Sequence, residues 1–206
     1  YRTASMERVA AMPHAGVYAA AFSPGGTYLQ TWQRLPNLKD GEHHEGNLIL
    51  WKTSSLEVCA RFVQKKFTRE QWPSIQFSDD EMICARMVTN ELHFYTGNRI
   101  NNDNIVRRIK LNNISSFSIA PGSAPYSIAV FVPEKKGAPA SVHLCKYPQV
   151  TDYVASKTFY KAQEITFKWN IKGQQLLCQT NTDVDTSGKS YYGETGLYMM
   201  SADPKV

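Results

Sequence analysis

The stretch Val17-Tyr18-Ala19-Ala20-Ala21-Phe22-Ser23-Pro24-Gly25-Gly26-Thr27-Tyr28-Leu29-Gln30-Thr31-Trp32 reads as two short strands folded back on one tight turn. Its apolar runs are five to six residues long, and Ser23-Pro24-Gly25-Gly26 between them are turn formers. Working outward, Asn47 to Trp51 supplies a third strand after a long polar loop, and Val58 to Val63 a fourth. The same plan then recurs. Ser74 to Phe77 meets Ser78-Asp79-Asp80-Glu81, followed by Met82 to Met87, Glu91 to Tyr95 and Ile105 to Ile109. A third cycle runs through Ser116 to Ile119, Ala120-Pro121-Gly122-Ser123, Tyr126 to Val132 and Ser141 to Tyr147, with a fourth strand near Tyr153 to Ala155. A fourth takes Glu164 to Trp169, Asn170-Ile171-Lys172-Gly173, Gln174 to Thr180 and Gly196 to Met200.

The equivalent turns begin at Ser23, Ser78, Ala120 and Asn170, so they lie 55, 42 and 50 residues apart. Propeller blades repeat every 40 to 50 residues or so. A sandwich or barrel also uses short strands, but neither predicts a four-strand cycle with a Phe-Ser-Pro or Phe-Ser-Asp turn at the same place. The expected fold is therefore all-β, a WD40-like β-propeller. About four blades are expected, roughly at 17–63, 74–109, 114–155 and 164–200, the last incomplete. The chain opens on Tyr1 and ends at Val206 without a cap, so the expectation is a piece of a longer protein whose further blades complete a ring.

Hydrophobic residues make up 42% of the 206 positions and charged ones 20%, the composition of a folded domain. The 23 Lys and Arg against 18 Asp and Glu give a net charge of +5, which favours an anionic partner without requiring one. No apolar run reaches the 18 or so residues of a membrane helix, so no membrane partner is expected. Cys59, Cys84, Cys145 and Cys178 form no CxxC pair and lie in or beside apolar strands, as buried reduced thiols do. A cytoplasmic protein is expected.

Candidates for chemistry are few. Nucleophilic catalysis needs Ser or Cys beside a base and an orienting acid, and His14, His43, His44, His93 and His143 sit in no such signature. His93 and His143 fall within strands, where a hydrogen-bonded, half-buried imidazole is the plain reading. The adjacent His43 and His44 lie on a polar loop, where neighbouring imidazoles seldom converge on one ion. Neither GxGxxG nor GxxxxGK occurs, so no nucleotide cofactor is expected. Asp183, Asp185, Ser187, Gly188 and Glu194 match the spacing of a calcium loop. The flanks read as strands rather than helices, however, which makes the segment a polar hairpin loop. No catalytic residue, metal or cofactor is expected.

The basic residues carry more. In a propeller the loops between strands two and three, and those joining strand four to the next blade, share one face. That geometry collects Lys65, Lys66, Arg69, Lys135, Lys136, Lys161 and Lys189 on one rim, where the acidic and His-bearing loop Lys39 to Gly46 falls too, so the face is mixed rather than uniformly positive. Phosphate contacts from such a rim add affinity without reading bases, while Phe67, Tyr160, Tyr191 and Tyr192 are candidates either to stack on exposed bases or to fill protein pockets. Arg107 and Arg108 belong to a fourth strand and fall outside the rim.

Several segments are idiosyncratic rather than generic blade punctuation. They are Ala20-Ala21-Phe22-Ser23-Pro24, Val63-Gln64-Lys65-Lys66, Ile83-Cys84-Ala85-Arg86 with Asn90-Glu91-Leu92-His93-Phe94, Lys136-Gly137-Ala138-Pro139, and Thr182-Asp183-Val184-Asp185 running into Ser190-Tyr191-Tyr192-Gly193-Glu194. In these the chain resembles the propeller of the eukaryotic translation initiation factor 2A family, over nearly its whole length after about Val17. The resemblance implies a non-catalytic cytosolic factor that binds the small (40S) ribosomal subunit, through rRNA and ribosomal proteins, and helps deliver initiator methionyl-tRNA. Other initiation factors are implied as further partners. The competing reading is a general WD40-type scaffold for protein partners.

Overall fold

The computed structural model describes residues 11, 15–35, 45–182 and 193–203. The chain divides into two compact units, Tyr1–Phe67 and Thr68–Val206.

The first unit holds one antiparallel sheet in which β1 (Val17–Phe22), β2 (Tyr28–Gln33), β3 (Leu48–Lys52) and β4 (Val58–Phe62) pair in sequence order. Its first turn is fastened at Ser23, whose Oγ accepts the Tyr28 N–H at 2.9 Å while its backbone O accepts Gly26 N–H at 2.9 Å. Gly26 takes φ +75°, a conformation that L side chains resist. In β3 all of Leu48, Ile49, Leu50 and Trp51 are buried, which is why that strand reads as an unbroken apolar run rather than an alternation. The register of β1 on β2 shifts between Val17 and Ala19, which places Tyr18 at a β-bulge.

The second unit holds three sheets. The first is β5 (Ile75–Phe77), β6 (Ile83–Val88), β7 (Glu91–Thr96) and β8 (Arg107–Lys110). The second is β9 (Ser116–Ile119), β10 (Ser127–Val132), β11 (Ala140–Lys146) and β12 (Gln149–Phe159). The third is β13 (Glu164–Trp169), β14 (Gln175–Asn181) and β15 (Thr195–Ser201). Each sheet packs on the next. Ile83, Ala85, Leu92 and Phe94 meet Phe117, Ile128 and Val130 in one core. Ala129, Phe131, Val142 and Leu144 meet Leu176, Cys178 and Met200 in another. Strand β10 serves both cores with alternate residues, so burial on two faces explains its continuous Ile128-Ala129-Val130-Phe131 run. Sequential meanders stacked face to face make this an all-β fold of the β-propeller class.

Two details depart from the sequence reading. The fourth strand of the second unit's middle sheet, expected near Tyr153 to Ala155, is the 11-residue β12. It is an outer strand exposed along much of its length, so Asp152, Ser156 and Lys157 break the apolar pattern, and register shifts opposite Cys145 break the period. Cys59 is exposed whereas Cys84, Cys145 and Cys178 are buried and unpaired. Strand β4 turns Cys59 outward while Ala60 and Phe62 face the core. Among the described residues no helix is long and apolar enough to cross a membrane.

Candidate functional site

Antiparallel strands alternate direction, so within each sheet the link between strands two and three emerges at the same end as the link leaving strand four. In the second unit side-chain bonds tie these links together. Asn113, at φ +61°, stands in the β8–β9 link; its N–H donates to Asn90 Oδ1 in the β6–β7 turn at 2.9 Å, and its own Oδ1 accepts from Lys135 Nζ at 3.3 Å. Gln71 Nε2, from the short 3-10 turn Arg69–Gln71, donates to Ser115 O. Arg69, Lys135, Lys136 and Lys161 are all exposed at this end. Lys136 is the tip of a closed turn, in which Ala138 N–H donates to Lys135 O at 2.7 Å and Gly137 takes φ +87°. A residue at such a tip presents its ammonium to solvent at little cost.

Lys161 differs. Its Nζ lies 3.0 Å from Glu194 Oε1, and its backbone N–H donates to the Glu134 carboxylate. Both side chains of the ion pair are about half exposed, so the pair adds little stability, but it occupies the cation that the sequence reading assigns to a partner. Arg69 has Glu70 beside it. This end of the second unit is therefore mixed in charge, and Arg69, Lys135 and Lys136 form no ion pair among the described residues. Arg107 and Arg108 lie on β8, as expected, and Arg108 and Lys110 approach Glu91 at 3.9 and 3.6 Å. A hydrogen bond from His93 at 2.7 Å, opposed by desolvation and aided by these charges, holds the Glu91 carboxyl below its ordinary pKa.

In the first unit Lys65 and Lys66 follow β4 and are exposed. What positions them is Asn47, 1% exposed, which the sequence reading takes only as the start of a strand. Its Nδ2 donates to Gln33 O at 2.7 Å and Gln64 O at 2.9 Å, and its Oδ1 accepts Gln64 N–H at 2.8 Å. Trp32 Nε1 donates to the same Gln64 O at 3.2 Å. The residue before the lysines is thus clamped to the sheet. The signal was available: an Asn ahead of an apolar run after a long loop is as good a backbone clamp as it is a strand start.

Lys189, Tyr191 and Tyr192 lie outside the described residues, as do His14, His43, His44, Asp183, Asp185, Ser187 and Gly188. His93 bonds Glu91, and His143 bridges Ser141 and Ser156 at 3.0 and 2.9 Å, so both are hydrogen-bonded strand residues. Burial lowers the His143 pKa. No three potential metal ligands converge among the described residues.

A family model, Eukaryotic translation initiation factor eIF2A, matches residues 157–205. The chain is 40% identical to eukaryotic translation initiation factor 2A of Dictyostelium discoideum, an alignment covering 97% of the chain and 32% of the relative. It is 42% identical to the Schizosaccharomyces pombe factor of the same name, covering 96% and 33%. The chain thus spans about a third of the length of these curated relatives. A solved structure titled "Crystal structure of the eukaryotic initiation factor" superposes with a TM-score of 0.78 at 36% identity, over 92% of the chain and 44% of that structure. A hydrazine synthase from Kuenenia stuttgartiensis, with a TM-score of 0.60 at 11% identity over 90% of the chain and 51% of its own, shares the fold alone. Similarity at this level over nearly the whole chain places it: the chain belongs to the eukaryotic translation initiation factor 2A family.

Proposed function

We propose that this chain is part of a cytoplasmic, non-catalytic translation initiation factor that docks on the small ribosomal subunit and helps bring initiator methionyl-tRNA to it. Its sheets are successive blades of a larger ring. Docking runs through the ends of the sheets that carry Lys65, Lys66, Arg69, Lys135, Lys136, Lys161 and Lys189. The observation that carries the reading is the end-to-end similarity to the factor 2A relatives. The exposed Lys135-Lys136 tip supports the choice of surface, since solvated ammonium groups suit phosphate and release its counterions.

The test is co-sedimentation with purified small subunits across a salt series. The pairs Lys65→Glu with Lys66→Glu, and Lys135→Glu with Lys136→Glu, are each expected to weaken binding and to lower the salt slope by roughly one unit per lost phosphate contact. Arg99→Glu serves as the control, because Arg99 follows β7 at the end where Gly97 bonds Met82, opposite the lysines of its own unit. Weakening by the control alone refutes the choice of surface. The second reading, a scaffold for protein partners, draws on the mixed charge of the second unit and on Tyr160, which is 84% exposed beside Lys161. It predicts binding insensitive to salt.

A further inference from the structure

In the first unit three aromatic rings gather beside the lysine segment. Trp32 and Phe67 lie 4.9 Å apart between centroids, tilted by 36°, and Tyr18 meets both edge-on, at 5.7 Å from Trp32 and 5.1 Å from Phe67. Trp32 is 5% exposed, with its N–H bonded to Gln64 O, so it is a fixed floor. Tyr18 is 59% exposed. Its place at the β1 bulge is the device that turns it outward, because a bulge re-aims the side chain it carries. The Arg34 guanidinium carbon stands 5.9 Å from the Tyr18 ring centre.

A ring cluster that serves only as core buries its members. This one leaves its outermost ring in water with the Arg34 guanidinium beside it, and the exposed Lys65 and Lys66 directly precede Phe67 in the chain, with Glu45 the described acid at this end of the sheet. Aromatic rings take up either the faces of unpaired bases or a proline-rich peptide. The charge decides between them, since a guanidinium at the outer ring and two exposed lysines next to Phe67 in the chain suit a phosphate backbone. Arg34 adds to this because a planar guanidinium stacks on bases as well as on Tyr. A duplex offers no free base face, so the ligand is single-stranded.

We infer that Tyr18 and Phe67, floored by Trp32 and flanked by Arg34, Lys65 and Lys66, form a stacking platform for an unpaired nucleotide of single-stranded RNA. The inference rests on the reading of the chain as an RNA-contacting factor and names the ligand class of one part of that surface.

The experiment is fluorescence anisotropy of the full chain with a short unstructured oligouridylate and with duplex RNA of equal length. Tyr18→Ala is expected to weaken oligouridylate binding about tenfold, the loss of one base stack, and to leave duplex binding unchanged. Tyr18→Phe, which keeps the ring, is expected to bind within about twofold of the parent. Because Tyr18 is largely exposed, unchanged melting curves will show that both variants fold. The inference is overturned if Tyr18→Ala binds oligouridylate like the parent, if Tyr18→Phe is as weak as Tyr18→Ala, or if the parent takes a proline-rich peptide through Tyr18 and no oligouridylate. Small-subunit co-sedimentation of the same variants separates the two readings. Loss of oligouridylate with the subunit still bound upholds the platform and moves docking elsewhere. Loss of the subunit with oligouridylate still bound overturns the platform and leaves docking standing.

Discussion

Replacing Asn47 by Ala removes three hydrogen bonds at once from a site that is 1% exposed: two from Nδ2, to Gln33 O and Gln64 O, and one from Gln64 N–H to Oδ1. The backbone bonds of Asn47 to Phe62 O and from Gln33 N are untouched, so the sheet itself should persist. At about 1 kcal/mol net per bond, and with Gln64 O still accepting from Trp32, the loss comes to roughly 2–4 kcal/mol. For a chain of this size that is a fall of roughly 4–16 °C in Tm, read by circular dichroism and tryptophan fluorescence. Trypsin cleavage after Lys65 and Lys66 should quicken in parallel, since their anchor is gone. Asn47→Asp is the sharper variant, because it keeps the acceptor but sets a carboxylate oxygen against two carbonyl oxygens in a buried site. It should cost at least as much as Ala. An Ala variant melting within about 1 °C of the parent would refute the clamp. An Asp variant more stable than Ala would refute the donation from Nδ2 to the two carbonyls.

Two further outcomes follow from close approach and from charge. A Cβ on Gly173, at φ +63°, would stand 2.3 Å from Pro121 O, whereas at Gly137, φ +87°, nothing lies within 4 Å. Gly173→Ala should therefore lower stability by well over the ~1 kcal/mol expected of Gly137→Ala, and equal denaturant midpoints would contradict this. At Asp80, desolvation works to raise the pKa, but hydrogen bonds from Ser78, Tyr126 and Met82 outweigh it and hold the carboxyl below its usual value. A lowered folded pKa gives stability that is complete above the unfolded value and is lost as pH falls below about 4. Tm measured from neutral pH downward should drop less steeply below that point in Asp80→Asn than in the parent, and parallel profiles would sink the assignment.

The fold was legible because its turns are chemically marked. Ser23, Ser78 and Asn170 each spend a side-chain oxygen on the backbone four to five residues on, which favours Ser or Asn at that place in three of the four cycles, the third carrying Ala120. Tyr126 then reaches from the next sheet to Asp80, joining two cycles through the turn of one. What escaped reading was geometry that does not repeat. The length of β12 is hidden by register shifts, and the bulge at Tyr18 leaves no trace in composition, because any residue fits a bulge that opens outward.

The proposed docking surface could be laid out from the sequence as a face of mixed charge, but its ion pairs could not. Within each sheet, sequence order tells which links share an end because strand alternation is a matter of counting, and counting needs no coordinates. Whether a given lysine is available to phosphate depends on acids brought from far along the chain. Lys161 meets Glu194, 33 positions away, and draws Glu134 onto its backbone from 27 positions away. Such pairs carry no local signature, since a surface ion pair is worth little to folding and puts little constraint on the sequence around it. They matter to binding all the same, because a cation already paired has fewer counterions to release and must break a contact before making another. On the proposed docking surface Lys65, Lys66 and Lys136, which form no ion pair among the described residues, are therefore expected to serve phosphate better than Lys161, with Lys135, held only by the Asn113 amide, between them.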